Sequence, residues 1–317
     1  MASGLTCKGN FPQRLRKILE GLAKSIQEAG IDVLAFQPLW QTFLHEVEKA
    51  VTHPHVFAPY HQKIRQPLDY YRFSLDFIRP LVILQKSKMP GRERWREVQE
   101  AVARGENAIL LANHQTEADP QAMALLLETD FPQLAEHLIY VAGERVVTDP
   151  VAIPFSMGCD LLCIYSKRYI DHPSEERERK QMHNREVMVR MSRLLARGGK
   201  VIYVAPSGGR DRRNAAGTVE VAPFDPDSIE LFYLMAQKAK TATHFYPLAL
   251  KTHALMPPPD TVQRELGENR TVNCTPIGMA LAPRFDMSQF VEAEKGERRT
   301  MRAHAIWTSV HTLYETL

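Results

Sequence analysis

The sequence lacks long apolar runs, paired cysteines and any large excess of one charge. A membrane span needs roughly 18 consecutive apolar residues, whereas runs such as 81–84 (LVIL) and 123–127 (MALLL) stop after four and five. The expectation is a soluble chain with no transmembrane segment and at most transient contact with a membrane surface. The four cysteines, Cys7, Cys159, Cys163 and Cys274, show no paired metal-ligand spacing. A chain of 317 residues can bury a core without disulfide staples, so a reducing, cytosol-like compartment fits. Forty basic against 37 acidic residues leave a net charge of +3, too little for a dedicated nucleic-acid binder. Neither an internal repeat nor a low-complexity tract appears. Residues 1–19 are basic and lack acids, yet they run into a well-patterned helix without an apolar signal core. A cytoplasmic location is therefore expected, with import into an organelle as the alternative.

What is present is a change of pattern along the chain. In the first eighty residues, Phe11, Leu15, Ile18, Leu19, Leu22 and Ile26 recur at helical spacing. Asn10 is placed to cap that helix and Gly30 to stop it. A second helix is expected after Pro38 and a third over 61–79, which makes residues 1–80 a small helical bundle. An Arg-rich helix follows near 91–104. Short apolar segments then alternate with helices: 107–112, 138–142, 160–165, 201–205 and 245–250, with helices at 120–136, 174–197, 228–240 and 297–316. That alternation predicts an α/β domain over 81–317, built on a largely parallel sheet flanked by helices.

Three of these strands end in polar clusters, and open parallel sheets place ligands at the carboxyl ends of their strands. Segment 107–112 runs into Asn113-His114-Gln115-Thr116-Glu117-Ala118-Asp119. Across one turn the Asp119 carboxylate can reach the His114 imidazole, fixing its tautomer and leaving the other nitrogen to take a proton. Taken alone, this H-x4-D pair fits a surface or capping role equally well. Segment 201–205 ends in Pro206-Ser207-Gly208-Gly209-Arg210-Asp211-Arg212-Arg213, where glycines admit close backbone approach and arginines match phosphate oxygens. An exposed basic loop explains that segment as readily. Segment 160–165 ends in Ser166, Lys167, Arg168 and Tyr169, further cations for the same rim.

Together, NHQTEAD at 113–119, GERVVTDP at 143–150, CIYSK at 163–167, APSGGRDR at 205–212 and YPLAL at 246–250 resemble the plastid-type glycerol-3-phosphate 1-O-acyltransferases of plants and chlamydial bacteria. The resemblance covers about residues 105–260, and its order and spacing are more specific than any one motif. It implies that His114, oriented by Asp119, activates the sn-1 hydroxyl of glycerol 3-phosphate against an acyl thioester, with no acyl-enzyme. The thioester of acyl carrier protein or coenzyme A is then a co-substrate, and no cofactor is implied. Arg210 and Arg212 match the phosphate pocket, with Lys167 and with Arg168 in place of a usual lysine. The chain departs at Tyr169, where plastid relatives carry histidine. It also has Ser207-Gly208-Gly209-Arg210 where lysophosphatidic acid acyltransferases have Glu-Gly-Thr-Arg, which favours glycerol 3-phosphate over a lysolipid acceptor. Under this resemblance the plastid stroma becomes the specific alternative to the cytoplasm.

The basic residues of 174–197 offer a docking face for the acidic acyl carrier protein, although interspersed glutamates make a solvated face the plainer account. An acyl chain needs an apolar groove, for which 152–158 and 228–236 are candidates and also ordinary core. Two rival readings remain at this stage. One is a metal-dependent phosphoesterase with His114 and Asp119 as ligands, which lacks a full ligand set. The other is a non-enzymatic module that binds anionic lipid headgroups.

Overall fold

The computed structural model describes residues 4–167, 170–259 and 268–317. Three helices come first: α1 (Gln13–Glu28), α2 (Val33–Thr52) and α3 (Tyr70–Ile78), the last two flanking a short strand β1 (Tyr60–His61). Then follow α4 (Arg92–Ala103), β2 (Asn107–Ala112), α5 (Asp119–Leu127), α6 (Pro132–His137), β3 (Leu138–Gly143), α7 (Arg145–Thr148), α8 (Ile153–Ser156) and β4 (Asp160–Ile164). The remainder is α9 (Arg177–Arg197), β5 (Val201–Val204), β6 (Arg212–Arg213), β7 (Val219–Glu220), α10 (Pro226–Ala239), β8 (Thr243–Lys251), β9 (Gly278–Leu281) and α11 (Lys295–Thr316).

Local chemistry moves several boundaries from where periodicity alone sets them. The first helix begins at Gln13 after Pro12, and Asn10 instead donates its backbone N–H to Glu48 at 2.9 Å. The second begins five residues before Pro38, because the Asp32 carboxylate accepts from Leu34 N and Ala35 N. Asp69 caps the third by accepting from Arg72 N, which confines that helix to 70–78. The expected helix over 120–136 is two, since Pro132 opens a new one.

Among the described residues, seven strands form one sheet in the order β1-β4-β3-β5-β2-β8-β9. Strands β2, β3, β4, β5 and β8 are parallel, whereas β1 and β9 pair antiparallel at the two edges. All six residues of β2 are buried, as expected of a central strand covered on both faces. Its side chains alternate between two cores. Ala108, Leu110 and Ala112 join a core that includes α1 to α3, while Ile109 and Leu111 face α9, α10 and α11. Each fully buried Ile or Leu there contributes about 1.5–3 kcal/mol, so the loop leaving Ala112 starts from a fixed point.

The N-terminal helices meet the rest through aromatic side chains. Phe77 lies 5.1 Å from both Phe43 and Phe155 of α8, ring centre to centre. Segment 152–158, a candidate for the acyl groove, thus has its one aromatic ring packed in this cluster. Among the described residues no helix is long and apolar enough to cross a membrane.

Candidate active site

The strand order explains why two distant loops meet. β2 lies between β5 and β8, so the residues following it are neighbours of those following each partner. Asn113 extends the β2–β8 pairing by one side-chain rung: its Nδ2 donates to Leu250 O at 2.9 Å and its Oδ1 accepts from Leu250 N at 2.7 Å. Gln115 does the same further out, accepting from Thr252 N at 2.7 Å and His253 N at 3.0 Å. Residues 113 and 115 point inward and are fully or almost fully buried. His114, between them, is left at the surface of the loop.

The His114 side chain is 31% exposed and its Nδ1 lies 2.7 Å from Asp119 Oδ2, whereas Asp119 is 1% exposed. A carboxylate only accepts, so Nδ1 carries the proton and Nε2 offers its lone pair. Asp119 opens α5 and is held by the loop it closes. Oδ2 also accepts from Gln115 N at 2.9 Å and Oδ1 from Thr116 N at 3.3 Å. Thr252 Oγ1 donates to Oδ1 at 2.5 Å. Four donors on one buried carboxylate leave it little freedom to rotate.

The arginine loop is tied directly to the histidine. Asp211 N donates to His114 O at 2.6 Å, which sets Arg210 and Arg212 on either side of that bond. Gly208, at φ +65°, supplies the left-handed turn between β5 and Arg210. The Asp211 carboxylate is buried and accepts from Asn113 Nδ2 at 2.8 Å, Gln115 Nε2 at 3.2 Å and Ala222 N at 2.9 Å. Burial pushes its pKa up to about 6, against the opposing effect of those donors.

Beside this loop lies a cluster of ion pairs. Arg210 Nη2 is 2.7 Å from Glu268 Oε2, and its Nη1 is 3.8 Å from Glu117 Oε1. Arg270 binds Glu117 at 2.7 Å and Asp149 at 3.0 Å. Burial works to raise the Glu117 pKa, but Arg270 and Arg210 outweigh it and hold the carboxyl below its usual range. Arg212 donates to the Pro259 carbonyl. Among the described residues no group of three or more His, Cys, Asp or Glu side chains is arranged to hold a metal ion.

The structure therefore pairs His114 with Asp119 and ties the loop that carries Arg210 and Arg212 to the His114 backbone. Lys167 follows β4, three strands from β2; it is two-thirds exposed and pairs with Asp225 at 2.8 Å and Asp227 at 3.4 Å. Arg168 and Tyr169 lie outside the described residues. On α9, Arg177 and Arg179 pair with Asp171 and Glu176, Lys180 is buried, and Arg190 lies over the Tyr60 ring at 5.2 Å. Arg185 and Arg193 are exposed. Sequence reasoning passed over Asn113, Gln115, Asp211, Thr252, Glu117, Asp149, Glu268 and Arg270. The only signal for the first two was their alternation with His114 at the end of a buried strand.

Comparison with known proteins places this site in a lineage. A family model described as Acyltransferase matches residues 95–251. The Spinacia oleracea protein named chloroplastic glycerol-3-phosphate acyltransferase is 36% identical over 98% of this chain and 67% of its own length. Its namesake from Carthamus tinctorius is 40% identical over 84% of this chain and 58% of its own. The Arabidopsis thaliana protein of that name is 37% identical over 84% and 59%, so this chain spans about three fifths of the length of the last two. The match with the spinach protein extends over almost the whole chain, the N-terminal helices included, and the chain belongs to the glycerol-3-phosphate acyltransferase family.

Proposed function

We propose that the protein moves a fatty acyl group from an acyl carrier protein or coenzyme A thioester to the sn-1 hydroxyl of glycerol 3-phosphate. The product is lysophosphatidic acid, the first intermediate of phospholipid synthesis. His114 Nε2 takes the hydroxyl proton as the oxygen attacks the thioester carbonyl. A carbon–oxygen bond forms, the carbon–sulfur bond breaks, and the departing sulfur takes the proton from the imidazolium. Asp119 holds the tautomer and stabilises the transient positive charge. Arg210 and Arg212 bind the phosphate and thereby position the hydroxyl. Lys167, which also pairs with Asp225 and Asp227, and Arg168 are proposed as further phosphate-binding cations.

The observation that carries this reading is the 2.6 Å bond from Asp211 N to His114 O. It ties the arginine-bearing loop to the backbone of the base, as an anchored alcohol beside a proton acceptor requires.

Acyl carrier protein is the preferred donor, and the exposed Arg177, Arg179, Arg185, Arg190 and Arg193 of α9 are its proposed docking cations. The relatives' chloroplastic names favour the plastid stroma over the cytoplasm as the working compartment. The decisive experiment supplies glycerol 3-phosphate with a panel of acyl carrier protein and coenzyme A thioesters. Thiol release matched by lysophosphatidic acid supports the proposal, and thioester consumption without acylated glycerol 3-phosphate ends it.

A further inference from the structure

Two guanidiniums, Arg210 and Arg270, pair with three carboxylates, Glu117, Asp149 and Glu268, in one cluster among the described residues. The two arginines are held differently. Arg270, 4% exposed, spends Nε and Nη2 on Glu117 at 2.7 and 3.2 Å, Nη2 again on Asp149 at 3.0 Å, and Nη1 on the Glu268 carbonyl at 3.0 Å. It is a clamp with every nitrogen engaged. Among the described residues Arg210 makes one close contact with a carboxylate, Nη2 to Glu268 Oε2 at 2.7 Å, while Glu117 stands off at 3.8 Å. A phosphate that binds Arg210 through Nη2 would take the place the Glu268 carboxylate now holds.

A phosphate monoester dianion arriving with Glu268 still in place would meet that carboxylate on the same guanidinium, and the two like charges would repel in a site sheltered from water. The backbone of Glu268 is pinned by Arg270 through its carbonyl. Its side chain can therefore leave Arg210 without unseating the chain.

We infer that Glu268 is a built-in competitor for the phosphate: its carboxylate occupies Arg210 until a phosphate monoester displaces it, so substrate capture is the exchange of one anion for another. The inference rests on the reading of Arg210 as a phosphate ligand, and it adds the residue that sets how tightly that ligand binds. Such exchange keeps the buried arginine paired when no substrate is bound and weakens retention of every phosphate in the pocket.

The test is calorimetric titration of the parent, Glu268→Gln and Arg210→Ala with inorganic phosphate and with glycerol 3-phosphate, without acyl donor. Glu268→Gln keeps the size and removes the charge, so both ligands should bind about three- to tenfold more tightly, while Arg210→Ala should weaken both. A merely structural Glu268 predicts the opposite sign, because disordering Arg210 loosens phosphate. Glu268→Ala, checked for a parent-like melting temperature, serves as a second variant. Binding at parental strength or weaker in both Glu268 variants would overturn the inference. Tighter phosphate binding in a protein that acylates nothing would leave the exchange standing and remove the acyltransferase reading; transfer with unchanged binding would do the reverse.

Discussion

Two imidazole–carboxylate pairs sit at opposite ends of the same central strands. His114 and Asp119 meet at 2.7 Å beyond the carboxyl end of β2, and His244 and Glu106 meet at 2.6 Å at its amino end. The distances are nearly equal, yet the environments are inverted. In the first pair the carboxylate is 1% exposed and the imidazole 31%; in the second the imidazole is 9% exposed and the carboxylate 26%. Glu106 is also gripped twice by Arg104 at 3.1 Å. Hydrogen bonds from Arg104 and then His244 draw its pKa down to about 2. The second nitrogen of His244, Nδ1, is buried with no hydrogen-bond partner among the described residues. Contact between a histidine and an acid thus marks neither pair as catalytic. A general base needs an immobile carboxylate behind an imidazole whose second nitrogen substrate can reach, and only the rim pair offers both.

The sharpest way to break this comparison is to remove each imidazole in turn. His114→Ala should lower the rate of acyl transfer by about 10²–10⁴-fold, the usual contribution of a positioned base, with glycerol 3-phosphate binding kept. His244→Ala should leave the rate within about twofold and act on stability instead, by the roughly 1–3 kcal/mol typical of a disturbed buried polar contact. Steady-state kinetics and thermal melts on both variants read the two effects. A comparable rate loss in both variants would erase the distinction.

Acting on the carboxylates tests the same contrast one step removed. Asp119→Asn places an amide NH2 against the N–H groups of Gln115 or Thr116 and disturbs the tautomer of His114. A loss of up to about 10⁴-fold in kcat is expected by analogy with other orienting acids. Glu106→Gln should leave kcat alone, since it lies at the end of the sheet opposite the proposed site.

How far the sequence anticipates this arrangement depends on the range of the contacts. The strands of the sheet are legible because each is a short apolar run between polar segments, and a buried parallel strand has to look that way. His114 and Asp119 are legible because only four residues separate them. What escapes is every partner from another strand. Thr252 reaches Asp119 across 133 positions, and Arg270 reaches Glu117 across 153. Those pairings follow from β2 lying between β5 and β8 and from the path of the chain after β8, and no local periodicity encodes strand order. The edge strands β1 and β9 escape for a different reason. Two and four residues long, they are too brief to establish an alternating pattern.

Thr252 gives a finer version of the comparison, because its hydroxyl is the one side-chain donor other than His114 on Asp119 among the described residues. Thr252→Val keeps the shape and deletes that bond. The expected cost is about 0.5–1.5 kcal/mol, read as a three- to tenfold lower kcat with an unchanged KM for glycerol 3-phosphate. A shift confined to KM would mean that the hydroxyl serves the phosphate site and not the base.

The last contrast concerns pH, where two carboxylates of the contrasted ends act in opposite directions. Glu106 has its folded pKa lowered to about 2, so its contribution is present above the unfolded value near 4.5 and fades as pH falls towards 2. Asp211 has its pKa raised to about 6 by burial, so between its unfolded value near 4 and 6 the native state binds more protons than the unfolded one. Stability must then fall as pH rises through that window, by at most about 1.4 kcal/mol per pH unit. Asp211→Asn loses stability overall, because its amide confronts the Asn113 and Gln115 donors, but it also abolishes this titration. Denaturant unfolding from pH 4 to 6.5 should show a parent curve that declines relative to the variant; parallel curves would mean that the buried acid between the two loops is ionised throughout.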